Sequence, residues 1–199
     1  MEPTNKGAAT LAMIYDYMER VLPGSFKRGT NFYLTEHAYS TVVSDDFWSA
    51  LGAACDSGAA GCAGIAAGMG GAWTRSAGYP VLRVSRAGGG LSVSQRPVNP
   101  ENPASSGAIW WLPLMIGDSS GTVEAACCEA SSSCTVETPT TGLPLVLNPT
   151  GTGLYRVEYD DYADVLAAVS AGTMDRTLSV LPPISTFCCL FVTWCLCYC

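Results

Sequence analysis

The stretch Trp73-Thr-Arg-Ser-Ala-Gly-Tyr-Pro-Val-Leu-Arg-Val84 decides the fold of this 199-residue chain. Before it, apolar residues recur at three- and four-residue steps, which is typical of helices. Gly-Tyr-Pro then interrupts the pattern, and after it the apolar residues alternate with polar ones, which is typical of strands. The stretch therefore predicts a helical unit followed by a β unit.

Apolar spacing and helix-start residues together predict three helices in the first part of the chain. The first covers residues 7–22 and ends before Pro23. Ser25 starts a second helix that runs to about Leu34, and Ser44, followed by two aspartates, starts a third. The apolar stripe of the first helix consists of Leu11, Ile14, Met18, Val21 and Leu22.

Glycine weakens the helical pattern next to the junction. Residues 52–64 are rich in glycine and alanine, and we expect a loop there. Ile65, Met69 and Trp73 then fall four apart and predict a fourth helix. Each glycine inside it costs helix formation about 1 kcal/mol relative to alanine. We therefore expect this helix to be the least stable of the four.

Beyond the junction, short strands separated by turn residues predict an antiparallel β-sandwich. Residues 81–84 and 91–94 form a predicted hairpin through Gly88-Gly89-Gly90. The other predicted elements are strands at 109–116, 143–147 and 154–159, a loop at 117–140 and a short helix at 163–170. The predicted fold class is α+β, with an α-helical unit followed by the sandwich.

Short motifs in chain order resemble those of the zinc aminopeptidases of the M1 (gluzincin) family. In that family a helix ends in Trp-Thr, a Gly-Tyr/Phe-Pro strand follows, and a Thr-Gly-Tyr-Tyr-Arg-Val-x-Tyr hairpin comes later. The resembling residues here are Lys6-Gly7-Ala8, Phe26-Lys27-Arg28-Gly29, Tyr33-Leu34, Glu36-His37-Ala38-Tyr39, Asp45-Asp46-Phe47-Trp48, Trp73-Thr74, Gly78-Tyr79-Pro80, Ser94-Gln95-Arg96, Trp110-Trp111-Leu112-Pro113-Leu114, Leu147-Asn148, residues 152–159 and Asp175-Arg176.

The resemblance implies three segments. Residues 1–78 correspond to the helical C-terminal part of a thermolysin-like catalytic domain, and residues 79–176 to the β-sandwich domain with a short terminal helix. Residues 177–199 are an apolar, Cys-rich tail outside the family pattern. A weak membrane anchor, a disordered tail and translated non-coding sequence all remain open for it, and the abrupt change in composition favours the last. Its apolar part is shorter than the ~20 residues of a membrane-spanning helix, so we expect no membrane partner.

The family's catalytic apparatus is missing from this chain. The family uses a His-Glu-x-x-His helix, in which two imidazoles bind Zn²⁺ and the glutamate acts as general base. This sequence has one histidine, and Thr4 stands where the family has an oxyanion-stabilising tyrosine. We therefore predict no catalytic, cofactor-binding or metal-binding residue: zinc and the peptide substrate belong to the parent enzyme. The alternative is a non-catalytic binding or regulatory module derived from it.

The composition of the chain limits the kinds of partner that we expect it to bind. A net charge of −7, with ten basic residues scattered along the chain, offers no surface for phosphate backbones, so we expect no nucleic acid. No secretory signal is visible at the start, which favours the cytoplasm while leaving the compartment open. A helical face that covers the catalytic domain in the parent would be exposed here, and it is the surface through which we expect an interaction.

Several polar residues have a structural and a functional interpretation. A histidine beside a carboxylate can shuttle protons, and paired carboxylates can do acid–base work. Packing, helix starts, turns and solvated helix faces account for the same residues, and we favour these structural roles. Those concerned are Glu36-His37, Asp45-Asp46, Asp160-Asp161, Asp16 and Glu19, together with Arg156, which is expected to be structural and could pair with a carboxylate between the two units.

The ten cysteines do not show the paired C-x₂-C spacing of a zinc site. Five of them lie in residues 188–199. Cys55 and Cys62 flank the Gly/Ala-rich stretch and could form a local disulfide, and free thiols are the simpler expectation. The Gly88-Gly89-Gly90 run lacks the Lys-Ser/Thr that follows a phosphate-binding loop.

Overall fold

The computed structural model describes residues 3–56, 64–88, 90–118, 123–137 and 145–170. The tail at 177–199, Gly172 and Cys62 lie outside these residues. Within them the chain is α+β, as predicted, with five helices and seven strands in two sheets. None of the helices in this part of the chain is both long and apolar enough to cross a membrane.

The helical unit contains four of the helices. They are α1 (Pro3–Val21), α2 (Ser25–Glu36), α3 (Ser44–Asp56) and α4 (Ile65–Gly68), and α4 continues into a π-helical turn at Met69–Trp73. The predicted stripe of α1 is buried at Ile14 and Met18, whereas its first residue, Leu11, is exposed. The loop predicted from residue 52 is wrong for its first part, since α3 continues to Asp56. Gly52 lets α3 pack closely on α4, because a methyl group at this position would press on Ala66.

The fourth helix forms with a break in its backbone. Gly71 lies outside the helical region, at φ −84° and ψ −119°, inside the π-helical turn. π-Helical turns are rare and short, and the glycines that weaken this segment also permit it. Trp73 at its end is buried, and its indole Nε1 donates a hydrogen bond to the Trp111 carbonyl at 2.7 Å.

The β unit forms two sheets. Its strands are β1 (Pro80–Ala87), β2 (Gly90–Pro97), β3 (Leu112–Gly117), β4 (Val123–Cys128), β5 (Ser133–Glu137), β6 (Val146–Leu147) and β7 (Arg156–Tyr159), followed by helix α5 (Ala163–Ser170). One sheet has the order β5-β2-β1-β7 and the other β4-β3-β6. The predicted β1–β2 hairpin is confirmed, with Gly88 in a left-handed turn conformation at φ 56°.

Two predictions for the β unit need correction. The segment 117–140 is not only a loop, because β4 and β5 lie within it. The sheets are also not wholly antiparallel, since β7 pairs parallel to β1, with Val81 opposite Arg156 and Val84 opposite Tyr159. The strands predicted from 109 and 154 begin later, at Leu112 and Arg156.

The main hydrophobic cluster extends through α1, α3, α4 and both sheets, and a smaller cluster joins β6 to α5. Tyr17 of α1 meets the Trp111 ring edge-on, with ring centroids 5.4 Å apart. Gly68 makes room for Trp111, because a Cβ on this glycine would collide with the tryptophan side chain. The division into residues 1–78 and 79–176 stays a prediction, and the side chains on its two sides share this core.

Candidate functional site

The single histidine is placed by ring packing. His37 is the C-terminal cap residue of α2, and its backbone N–H donates to the Tyr33 carbonyl at 3.1 Å. Its ring is half-buried and lies 5.5 Å from the Tyr33 ring. Tyr33 in turn packs edge-on against Phe47 of α3. His37 thus helps to join the end of α2 to α3.

The paired aspartates occupy helix starts and surface ion pairs. Asp46 Oδ2 accepts the Val43 backbone N–H at 2.9 Å, just before α3 begins. Asp45 forms an exposed salt bridge with Arg75 at 2.6 Å. Both roles agree with the structural interpretation of the pair.

The second aspartate pair, Asp160-Asp161, has the same two roles next to α5. Asp161 Oδ1 accepts the Ala163 backbone N–H at 2.9 Å, where α5 starts. Asp160 pairs with Arg83 of β1 at 2.7 Å in an exposed salt bridge. This contact, which closes the end of β7 against β1, also raises the pKa of the Arg83 guanidinium.

Asp16 and Glu19 are not merely solvated, which corrects the prediction for both. Asp16 Oδ2 accepts hydrogen bonds from the hydroxyls of Thr152, at 2.7 Å, and Thr150, at 3.4 Å. Its other oxygen pairs with Arg20 at 2.9 Å. Asp16 therefore links α1 to the turn before β7.

Glu19 has a local role at the end of α1. Its Oε2 accepts the backbone N–H of Gly24 at 2.8 Å. Gly24 adopts a left-handed conformation at φ 77°, between α1 and α2. Glu19 therefore holds the sharp turn between the two helices.

Arg156 packs on an aromatic ring. Its guanidinium carbon lies 5.5 Å from the centre of the Tyr79 ring, in a cation–π arrangement. The neighbouring carboxylate Glu158 pairs with Arg96 at 2.8 Å instead. Arg156 therefore joins β7 to Tyr79, the residue just before β1.

The expectation of a free thiol is wrong for Cys55, and a disulfide that the sequence did not predict joins two cysteines of the β unit. Cys128 and Cys134 form a disulfide with their Cα atoms 5.9 Å apart, and Cys55 is also disulfide-bonded. Cys127 keeps a free thiol. Its contact with Tyr17 adds to burial in raising the pKa of the Tyr17 phenol. Residue spacing alone did not indicate the Cys128–Cys134 pair, because β4 and β5, which carry these cysteines, lie in a segment predicted to be a loop.

Exposed apolar side chains concentrate on α1, on α2 and on the connection between α2 and α3. Among the described residues, seven of the nine large apolar side chains that are exposed lie between residues 11 and 43. The helix α2 buries Ser25 and Gly29 while Phe32 and Leu34 are more than half exposed. We call these seven the apolar helical surface: Leu11, Tyr15, Phe32, Leu34, Tyr39, Val42 and Val43.

The donors present do not fit a zinc ion of the kind the resemblance implies. Catalytic zinc needs three protein ligands, drawn mainly from histidine, glutamate and cysteine. In the described parts of the chain no three histidine, cysteine or acidic side chains are grouped so that they could hold a metal. The sole histidine of the sequence packs on Tyr33, and Thr4 lies in the first turn of α1.

The comparisons with known proteins find several curated aminopeptidases. The chain is 33% identical over 167 residues to puromycin-sensitive aminopeptidase of Caenorhabditis elegans, which covers 78% of this chain and 16% of that protein. It is 32% identical over 156 residues to tricorn protease-interacting factor F2 of Thermoplasma volcanium, which covers 78% of this chain and 18% of the factor. No protein-family model matches.

A plant relative extends the match further. Aminopeptidase M1-C of Oryza sativa subsp. japonica is 27% identical over 200 residues, which covers 90% of this chain and 20% of that enzyme. The chain thus spans between 16% and 20% of the length of these three relatives.

Proposed function

Because this chain is a relative of the M1 aminopeptidases over most of its length, we propose that it is a fragment of a zinc-dependent aminopeptidase and does not hydrolyse peptides on its own. The parent enzyme would remove N-terminal residues from peptides. In this proposal the chain supplies the last helices of the catalytic domain and the β-sandwich, and none of the groups that carry out the reaction.

The observation that carries the proposal is the count of histidines. A His-Glu-x-x-His site needs two imidazoles on one helix, and the whole sequence contains only His37. One imidazole leaves a zinc ion without its second nitrogen ligand. The proposal is further supported by the short share of each relative that the chain covers.

The test measures zinc and turnover on the same purified chain. After incubation with Zn²⁺ and desalting, we expect no stoichiometric zinc by elemental mass spectrometry and no release of the chromophore from aminoacyl nitroanilides. The C. elegans relative, assayed in parallel, controls for substrate and buffer. His37→Ala is the matched variant. Zinc-dependent turnover that disappears in His37→Ala would show that the chain is an enzyme and refute the proposal.

A second function is favoured by the apolar helical surface. Large exposed apolar patches mark interaction sites or aggregation hazards in soluble proteins. A non-catalytic module that binds a partner through this surface would use the same helices without any chemistry. Among the described residues of the β unit only Ile109 and Leu166 are large, apolar and exposed, which supports the helical side as the surface of such an interaction.

Solution behaviour distinguishes the module from an uncovered fragment. Light scattering coupled to gel filtration is measured for the wild type, for Phe32→Ser/Leu34→Ser/Val43→Ser, and for the control Leu166→Ser on α5. A monodisperse wild type supports the module. Aggregation that the triple variant abolishes, and that Leu166→Ser leaves unchanged, favours the uncovered fragment.

A further inference from the structure

The strand β5 is weakly held at one edge of the four-stranded sheet. In the part of the chain that the structure describes it pairs only with β2, with Ser133 opposite Ser94 and Glu137 opposite Gly90. Four of its five side chains are exposed or half-buried, and Val136 alone is buried. Gly90 lets the strand approach closely, because a Cβ there would collide with the Val136 carbonyl. One buried side chain and one ladder give β5 little stability of its own.

A disulfide supplies a further attachment. Cys134 of β5 is bonded to Cys128, the last residue of β4, which belongs to the other sheet. Cys128 is buried, whereas Cys134 is half-buried and the connecting residues 129–133 are exposed. The Cys134 sulfur is therefore on the side that a reductant in solution reaches first.

We propose that the Cys128–Cys134 disulfide is a redox latch that holds β5 on the edge of β2. A dithiol reductant attacks the Cys134 sulfur, and the Cys128 sulfur leaves as a thiolate that takes up a proton. The second thiol of the reductant then displaces Cys134, so the reductant ends as its own disulfide. Two electrons and two protons pass to the protein, and β5 loses its covalent link to β4.

Opening is local because the disulfide closes a short loop. A cross-link over so few residues stabilises the closed state by only a modest amount. The central strands β1 and β2 keep Leu82, Leu91 and Val93 in the main core. Reduction therefore frees β5 and uncovers the outer edge of β2, an unpaired edge of the kind that pairs with other strands.

Hydrogen exchange tests the latch on the full chain. In the oxidised protein and after dithiothreitol, amide protection is followed by mass spectrometry in peptides covering 133–137, 80–87 and 156–159. We expect protection in 133–137 to fall by at least about tenfold on reduction, with little change in the other two segments. Alkylation of the untreated protein before digestion must find Cys128 and Cys134 joined.

Two variants separate this disulfide from the other thiols. Because dithiothreitol also reduces the Cys55 disulfide, Cys128→Ser/Cys134→Ser is needed to isolate the latch, and its 133–137 segment should exchange fast in both conditions. Cys127→Ser should keep the full response to reduction. The proposal is overturned if Cys128 and Cys134 alkylate freely, if the double variant keeps the protection of β5, or if all segments lose protection together.

Discussion

At the residue scale, the contact that sequence patterns miss is the one made by Asp16. Its position on α1 identifies a polar helix face, and nothing local marks its hydroxyl partners, which follow it by more than a hundred residues. The carboxylate is largely buried, with 20% of its side chain exposed, and accepts three hydrogen bonds, counting Arg20. Truncating such a carboxylate therefore costs the protein more stability than truncating a solvated aspartate does.

We expect Asp16→Ala to lower the free energy of unfolding by about 1–3 kcal/mol, because it leaves the Thr150 and Thr152 hydroxyls without their shared acceptor. Asp45→Ala is the matched control. Asp45 also pairs with an arginine but is 52% exposed, so its loss should cost less than about 1 kcal/mol. Urea unfolding of both variants measures the difference. Equal losses would mean that Asp16 is no more than a solvated helix residue.

Two glycines should respond oppositely to the same substitution. Gly68→Ala places a methyl group on the Trp111 side chain in the core and should cost about 2–3 kcal/mol. Gly7→Ala meets nothing within 4 Å on α1 and should stabilise the chain by up to about 1 kcal/mol. Thermal unfolding of the two variants gives the signs. If Gly68→Ala leaves the thermal stability unchanged, α4 and Trp111 are not in close contact.

At the element scale, periodicity predicted the elements that bury a regular face. Helix α1 and the β1–β2 hairpin follow from the spacing of their apolar residues, whereas α2 and α3 follow from the serines at their starts. The strands β4 and β5 could not be found this way. Every side chain of β4 except Cys128 is half-buried, so its pattern carries no clear alternation. The parallel pairing of β7 with β1 likewise depends on tertiary packing, and the sequence of neither strand indicates it alone.

Strand β6 is only two residues long and depends on a side chain from β7. The Tyr159 hydroxyl accepts the Leu147 backbone N–H at 2.8 Å. Tyr159→Phe should therefore cost about 1 kcal/mol and speed hydrogen exchange at the Leu147 amide. Tyr39→Phe removes a hydroxyl from a fully exposed ring and serves as the control. Unchanged exchange at Leu147 would mean that β6 is held by its pairing with β3 alone.

At the scale of the whole molecule, the sequence predicted the similarity to aminopeptidases and the structural roles of several polar residues. It did not predict the disulfides. The motifs that resemble M1 aminopeptidases agree with the similarities to curated aminopeptidases, which cover 78% to 90% of this chain. His37 and the aspartate pairs have the packing and capping roles that their local context indicates. The disulfides depend on which strands come together, and the shared core beneath both units depends on packing across the junction, so neither could be read from spacing.

Two buried tyrosines make the stability of the whole chain depend on alkaline pH. Burial raises the pKa of the Tyr17 phenol, reinforced by Cys127, and burial raises the pKa of Tyr155, reinforced by the charge of Asp16 and partly opposed by the Met115 N–H. Both phenols stay protonated in the folded chain at pH values where the unfolded chain ionises them. Their contribution is complete below the ordinary tyrosine pKa of 10.0 and is lost as pH rises above it.

The expected slope follows from the number of protons released. Each tyrosine should lower the free energy of unfolding by roughly 1.4 kcal/mol per pH unit above about pH 10, so the two together give roughly 2.7 kcal/mol per unit. Urea unfolding between about pH 8 and 11 measures this slope. Tyr155→Phe and Tyr17→Phe should each remove about half of it, whereas Tyr39→Phe, whose ring is fully exposed, should leave it intact. A slope that both core variants leave unchanged would show that these phenols ionise as readily in the folded chain as in the unfolded one, and that the helical and β units do not exclude water from the core they share.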